Sequence, residues 1–153
     1  GYLNLELKGI TNYKDLKAII LDPKTNEIIN VQSFNDRQKY LTGKYDIEIL
    51  TLPRLTQKDV DVVQNKTTTL QVQQPGKLNI ITRKQLVIAI FRIHNGETTK
   101  VETLNISGSQ NITVLQPGDY KIIYREATVK ETTNTKVKEF SISSGEIKHI
   151  NIN

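Results

Sequence analysis

The amino-acid sequence predicts an all-β protein built from two small β-sandwich domains in tandem. The first observation is an internal repeat: Gly43-Lys44-Tyr45-Asp46-Ile47 recurs as Gly118-Asp119-Tyr120-Lys121-Ile122, 75 residues further on. The same offset carries residues 1–5 onto residues 76–80. The second observation is that apolar residues alternate with a period of two, as in half-buried strands, and no stretch carries a helical stripe. A repeat that spans half of the chain predicts two copies of one unit, at residues 1–75 and 76–153.

In the first copy, the clearest predicted strand is the first one, where Leu3, Leu5 and Leu7 alternate with polar residues. The apolar run from Ala18 to Leu21 ends at the turn signal Asp22-Pro23-Lys24-Thr25-Asn26. The strands that follow are marked by Ile28 to Val31, Tyr45 to Ile49, Val60 to Val62 and Leu70 to Val72.

The second copy repeats this order, with turn signals at His94-Asn95-Gly96 and Ser143-Ser144-Gly145. Its predicted strands cover Leu78 to Ile80, Leu86 to Phe91, Val101 to Leu104, Ile112 to Val114, Tyr120 to Tyr124, Val137 to Ile142 and Ile147 to Ile152. Short strands separated by turns at this spacing are typical of a β-sandwich. The polar segment 125–136 is predicted to be a loop that could face a ligand.

Composition narrows the class of protein. Hydrophobic residues at 37% and charged residues at 24% describe a soluble globular chain, and no apolar run is long enough to cross a bilayer. The absence of cysteine excludes disulfides and thiolate zinc sites. Because the chain opens on Gly1 and contains no methionine, we expect a fragment of a longer protein from which any targeting segment has been removed.

The repeated glycine–tyrosine motif has a structural interpretation. Gly43 and Gly118 allow the positive φ of a turn that enters a strand, and Pro117 fixes the corner before the second glycine. Tyr45 and Tyr120 are expected to bury their rings and to bond the corner backbone through their hydroxyls, as in a tyrosine corner. The alternative is an exposed ring for sugar stacking, which the apolar alternation after each tyrosine disfavours.

These motifs carry a resemblance to a known class of modules. Leu115-Gln116-Pro117-Gly118-Asp119-Tyr120 and the later Phe140-Ser141-Ile142-Ser143-Ser144-Gly145 resemble small prealbumin-like or immunoglobulin-like accessory modules of exported bacterial proteins. Such modules include those that follow a von Willebrand factor A domain. The first copy adds Leu52-Pro53, and the second copy departs there. The resemblance implies an extracytoplasmic spacer or binding arm of a longer protein, and it carries over no functional residue.

The search for chemistry nominates no catalytic residue, no cofactor and no metal ligand set. His94 and His149 are the two histidines, and they lack the spacing of a metal site. Asp59 and Asp61 could contribute to a calcium site, although such a pair is more often a solvated edge. A lysine near the first strand of the second copy, Lys77 or Lys84, and Asn151 in its last strand follow the order of residues in a lysine–asparagine cross-link. The flanking residues do not match the pattern of such cross-links. The sequence therefore predicts a protein that is not an enzyme.

Two hypotheses about partners remain from the sequence. Tyr13 and Tyr40 lie in polar contexts, so we expect their rings to be exposed, and they are the candidate residues of a glycan site. Net charge is +5 and uneven, with +1 on residues 1–75 and +4 on residues 76–153. That imbalance is compatible with an anionic partner, although a solvated lysine-rich surface is the simpler interpretation and no specific nucleic-acid binding is expected. We expect a structural spacer or protein-interaction module, with a carbohydrate-binding module as the alternative.

Overall fold

The computed structural model describes residues 1–9, 16–128 and 135–152. They belong to two compact units, Gly1–Gln74 and Pro75–Asn153, referred to below as unit 1 and unit 2. The boundary lies one residue before the position expected from the repeat. Each unit has seven described strands arranged in two sheets, so the prediction of an all-β protein with two sandwiches is confirmed.

Unit 1 pairs a three-stranded sheet with a four-stranded sheet. Its strands are β1 (Tyr2–Leu7), β2 (Lys17–Leu21), β3 (Ile28–Ser33), β4 (Asp36–Lys39), β5 (Gly43–Ile49), β6 (Leu55–Val62) and β7 (Thr67–Val72). The strand orders are β4-β1-β7 and β3-β2-β5-β6. All neighbouring strands are antiparallel except β1 and β7, which run parallel.

Unit 2 repeats the same topology. Its strands are β8 (Gly76–Thr82), β9 (Leu86–His94), β10 (Glu97–Ile106), β11 (Ile112–Leu115), β12 (Gly118–Glu126), β13 (Lys136–Ile142) and β14 (Ile147–Ile152). Of these, β8, β9, β10 and β12 are longer than their counterparts in unit 1. The strand orders are β11-β8-β14 and β10-β9-β12-β13, and again the first and last strands, β8 and β14, are parallel.

The core of each unit lies between its two sheets. On β1, Leu3, Leu5 and Leu7 are buried, because successive side chains of a strand point to opposite faces and these three share the inward one. Ile20 and Ile47 come from the facing sheet of unit 1 and are fully buried. Each such side chain stabilises its unit by about 1.5–3 kcal/mol through removal of apolar surface from water.

One strand of unit 1 was missing from the sequence prediction. β4, Asp36–Lys39, contains no apolar residue, and three of its four residues are exposed. Its counterpart in unit 2, β11, was predicted because it carries Ile112 and Val114. β4 is held by pairing with β1 through a register that places Tyr2 opposite Lys39, so its strand conformation comes from the backbone ladder rather than from side-chain burial.

Candidate functional site

The two corner tyrosines hold the turns that begin β5 and β12. The Tyr45 hydroxyl donates to the carbonyl of Leu41 over 2.8 Å, and the Tyr120 hydroxyl donates to the carbonyl of Gln116 over 2.5 Å. Gly43 and Gly118 open these strands at φ values of 158° and 154°. The Tyr120 ring is fully buried, whereas the Tyr45 ring is only half-buried. Both motifs therefore place a hydrogen bond across the corner, as the sequence interpretation describes.

Tyr120 lies in a corner that is closed by an arginine. Arg92 stands opposite Tyr120 in the β9–β12 register, and its guanidinium donates to the Gln116 side chain and to the Pro117 carbonyl over 3.1 and 3.3 Å. Burial raises the pKa of Tyr120 to about 12, and the nearby Arg92 charge offsets part of that rise. Tyr120 is thus held neutral and serves the fold.

The expectation that Tyr40 presents an exposed ring is wrong. Its side chain is only 8% exposed, and its hydroxyl donates to Gln32 Oε1 over 2.8 Å while accepting from Asn30 over 3.0 Å. Burial raises the pKa of the Tyr40 hydroxyl. The reason is β4, whose pairing with β1 delivers Tyr40 to the edge of the core. The other candidate, Tyr13, lies outside the described residues.

Gln32 is the polar residue of unit 1 that the sequence did not single out. It is buried on β3, and its amide donates to the carbonyls of Leu3 and Asp36 over 3.0 and 2.9 Å. Leu3 belongs to the facing sheet, so Gln32 links the two sheets of unit 1 by hydrogen bonds. No sequence pattern identifies it, because the apolar residues of β3, Ile28, Ile29 and Val31, are the exposed ones and the polar Gln32 is buried.

A pair of asparagines in equivalent turns was also missed. The Asn35 backbone amide donates to the Leu5 carbonyl, and in unit 2 the Asn111 side chain donates to the Ile80 carbonyl over 2.9 Å. The repeat carries Leu5 onto Ile80, and the two asparagines are separated by 76 residues. Comparing the copies for shared polar residues would have found them. Both fasten the turn that crosses between sheets to the first strand of the unit.

A shallow groove lies beside the corner of unit 1. Asp22, Leu41, Tyr45 and Asp59 contribute to its lining. Leu41 is 85% exposed, an unusual exposure for a large apolar side chain. One Asp22 carboxylate oxygen accepts backbone amides of the adjacent turn. This mixture of apolar surface and carboxylates is a candidate contact surface that the sequence did not predict.

Asp59 and Asp61, the pair suggested for calcium, do not form a metal site with other described residues. Asp59 sits in an irregularity of the β5–β6 ladder at a φ of 55°, and its backbone amide donates to the Asp46 carboxylate over 3.0 Å. Asp61 stands in register with Lys44. Among the residues that the structure describes, no group of three His, Asp or Glu side chains could hold a metal ion.

The suggested lysine–asparagine cross-link is not assembled in unit 2. Asn151 is exposed and stands opposite Ile81, while Lys77 stands opposite Ile147 at the other end of the ladder. The Lys84 ammonium instead contacts the Glu126 carboxylate at 2.6 Å.

The first and last strands of each unit form its most regular feature. β1 and β7 pair in parallel through six register positions, from Tyr2 opposite Thr67 to Leu7 opposite Val72. β8 and β14 pair in the same way, from Lys77 opposite Ile147 to Thr82 opposite Ile152. Because parallel neighbours start at the same end of a sheet, the chain enters each unit at one end and leaves it at the other.

Comparison with known proteins leaves the family open. No protein-family model matches the chain, and no curated protein matches it. Among solved structures, the chain is similar to one described as the Bacillus anthracis TIE protein, with 17% sequence identity and a TM-score of 0.40. The match covers 99% of this chain and 33% of that one, so the chain spans about a third of its length. At this identity and score, function must be argued from the geometry of the chain itself.

The outward face of the four-stranded sheet of unit 2 is a second candidate contact surface. Phe91 and Ile93 are half-buried there, next to Lys121, whose ammonium lies 5.7 Å from the Phe91 ring centroid. Lys100 stands opposite Phe91 on β10. An apolar centre flanked by lysines suits a partner that offers both apolar and acidic groups. The part of the chain that the structure describes contains no helix that could span a membrane.

Proposed function

We propose that the chain is a non-catalytic structural spacer and protein-interaction module of a longer exported bacterial protein. The observation that carries this proposal is the parallel pairing of the first and last strands in both units. A unit whose ends lie at opposite poles advances the chain by about the length of its strands, roughly 20 Å for six residues. Units of this kind separate the segments before and after them without needing a ligand.

The hydrogen bonds of the buried and half-buried polar groups support a structural role. Gln32, Tyr40, Asn111 and Tyr120 are engaged in hydrogen bonds that fasten turns and sheets. Catalytic groups, by contrast, converge on a pocket with their reactive atoms available to a substrate. We propose no cofactor and no catalytic residue for this chain.

The proposed setting is outside the cytoplasm, in the periplasm, at the cell surface or in the medium. Its support is the resemblance of the corner motifs to accessory modules of exported proteins. The partners that we propose are other segments of the longer parent chain and a protein or glycan surface. Residues 76–153, despite their net charge of +4, are not proposed to bind nucleic acid specifically, because they lack a concentrated basic run.

Distance measurements between spin labels test the spacer geometry of unit 1. The chain contains no cysteine, so introduced pairs are labelled uniquely. Lys39 stands opposite Tyr2 at the start of β1, and Gln73 follows the end of β7, so Lys39→Cys with Gln73→Cys reports the distance between poles. We expect about 20 Å or more between their backbones.

The matched control is Lys39→Cys with Lys66→Cys. The Lys66 carbonyl accepts the amide of Tyr2, so both labels then lie at the pole where the chain enters. Their backbones should be about 10 Å apart, two strand spacings. Equal distances for the two label pairs would contradict the spacer proposal.

Carbohydrate binding remains the alternative function. Tyr40 is buried and is no longer a candidate for this function. The groove beside Tyr45 still offers a partly exposed ring, the exposed Leu41 and the Asp22 carboxylate. Neutral and acidic polysaccharides, including cell-wall material, can be tested for binding at low and at physiological salt. The spacer proposal expects no salt-resistant binding to a neutral glycan. The carbohydrate-binding alternative would replace the spacer proposal if such binding is observed and is lost in Tyr45→Ala or in Tyr13→Ala but kept in Tyr2→Ala.

A further inference from the structure

The parallel ladders also determine how each unit responds to tension. In unit 1 the ladder is closed by backbone hydrogen bonds at both ends, from the Tyr2 amide to the Lys66 carbonyl and from the Lys8 amide to the Val72 carbonyl, each 2.9 Å long. In unit 2 the Lys77 amide donates to the Glu146 carbonyl over 2.8 Å. Evenly spaced bonds therefore join the strand that enters each unit to the strand that leaves it.

Tension along the chain pulls these two strands in opposite directions. The pull acts on β1 through its first residue and on β7 through its last residue, and these residues lie at opposite ends of the ladder. The strands must slide past each other, so all the bonds of the ladder are loaded together. A ladder that is pulled from one end opens bond by bond and resists far less, because only its terminal bond carries the load.

We propose that each unit is a shear clamp, with the β1–β7 and β8–β14 ladders as the elements that carry tension. This inference rests on the proposed spacer function and adds a mechanical role to it. The chemistry needed is only backbone hydrogen bonding and apolar packing, which both units provide.

The position of each strand in its sheet defines where the clamp yields. β1 is the central strand of its sheet, held by β4 on one side and by β7 on the other, and β8 is held in the same way by β11 and β14. In the described sheets, β7 and β14 are edge strands that pair only with the first strand of their unit. The last strand is therefore the one that slips first.

The last strands differ in how firmly they are anchored. β14 inserts Ile150 and Ile152 into the core, at 4% and 6% exposure, whereas no residue of β7 is fully buried and Leu70 is only half-buried. The Asn79 side-chain nitrogen also lies 3.2 Å from Nδ1 of His149, its register partner across the β8–β14 ladder. Unit 2 should therefore yield at a higher force than unit 1.

Single-molecule force spectroscopy on the full chain tests the clamp by changing only the direction of pull. Tethering through the N-terminus and Gln73→Cys loads the β1–β7 ladder in shear, and tethering through the N-terminus and Lys66→Cys opens it from one end. Both positions are exposed, and neither variant removes a side chain from the core. The expected unfolding force of unit 1 is at least about threefold lower in the second geometry, because the bonds then break singly.

Equal forces in the two geometries would overturn the clamp. If the spin-label distances still place the ends at opposite poles, the spacer proposal survives that result, and if they do not, both proposals fail. The asymmetry is tested by pulling the chain through its two termini. The unfolding step at lower force should release the 71 residues from Tyr2 to Val72, about 240 Å of extended chain. The unfolding step at higher force should release the longer segment of unit 2. The reverse order would overturn the asymmetry.

Discussion

At the scale of single residues, the buried polar side chains of this protein bind its own backbone and each other. Gln32 links the two sheets of unit 1, and Tyr40 holds Gln32 in place. A buried acceptor that loses its donor keeps the full cost of desolvation, whereas an exposed one recovers water. The stability of unit 1 should therefore depend more on these few hydrogen bonds than on its surface ion pair between Arg54 and Glu48, which is partly exposed on both sides.

Tyr40→Phe is expected to destabilise unit 1 by about 1–3 kcal/mol, because Gln32 Oε1 loses its donor inside the unit. Native-state hydrogen exchange of the β1 and β4 amides, followed by NMR, measures this change for unit 1. Tyr2→Phe is the matched control, since Tyr2 lies on the surface beneath the Arg37 guanidinium, and it should change the free energy by less than about 0.5 kcal/mol. A Tyr40→Phe effect as small as the control would show that the buried bond contributes nothing.

The raised pKa of Tyr120 predicts a loss of stability in alkaline solution. Between pH 10, the ordinary pKa of tyrosine, and pH 12, near which Tyr120 ionises in the folded state, only the unfolded chain releases this proton. Stability contributed by Tyr120 is therefore complete below about pH 10 and is lost as pH rises, by about 1.4 kcal/mol per pH unit. Urea unfolding at pH 9 and 11.5 measures the loss.

Tyr120→Phe separates this effect from that of the other tyrosines. The variant lacks the hydroxyl, so its stability should be lower at pH 9 but should fall less steeply toward pH 11.5. Parallel pH profiles for the natural chain and the variant would contradict the assignment.

At the scale of elements, the sequence predicts the strands whose side chains alternate between buried and exposed positions. It does not predict strands that are formed mainly by backbone hydrogen bonds to a distant partner. β1 was predicted because Leu3, Leu5 and Leu7 alternate with polar residues, and the structure buries all three leucines. β4 was not predicted, since its strand conformation depends on pairing with β1, a contact between residues more than thirty positions apart. The error at Tyr40 has the same origin: its local sequence is polar, and only the position of β4 buries it.

The ladder of unit 2 gives a prediction at this scale. Removing the His149 side chain takes away the acceptor for Asn79, which is 5% exposed, so His149→Ala should destabilise unit 2 by about 1 kcal/mol. The matched control is His94→Ala, at the exposed end of β9. Hydrogen exchange of the β8 amides compares the two variants. Equal effects would mean that the contact across the ladder is not stabilising.

At the scale of the whole molecule, one topology carries two different surfaces. The repeat preserved what the fold needs, namely the corner tyrosines, the turn asparagines and the parallel ladders. It did not preserve charge, which is +1 for residues 1–75 and +4 for residues 76–153. Of the preserved features, the sequence predicted the corner tyrosines, because their motif repeats with the same spacing in both copies. It did not predict the turn asparagines or the parallel ladders, because both depend on contacts between residues far apart in the chain. The sequence could not identify a partner, because the residues of an interaction surface depend on the chemistry of the partner and not on the fold.

This charge imbalance predicts weak, salt-sensitive binding of unit 2 to polyanions. Surface charges interact over about 10 Å at 0.1 M salt, so association with a polyanion such as heparin at low salt should disappear at physiological ionic strength. Lys100→Glu with Lys121→Glu, on either side of Phe91, should weaken it roughly fivefold to tenfold, because reversing two charges lowers the net charge by about four units. Lys39→Glu with Lys44→Glu makes the same change on exposed lysines of unit 1 and is the matched control. Equal weakening by the two double variants would contradict a basic surface on unit 2, and binding that persists at physiological salt would indicate a specific site.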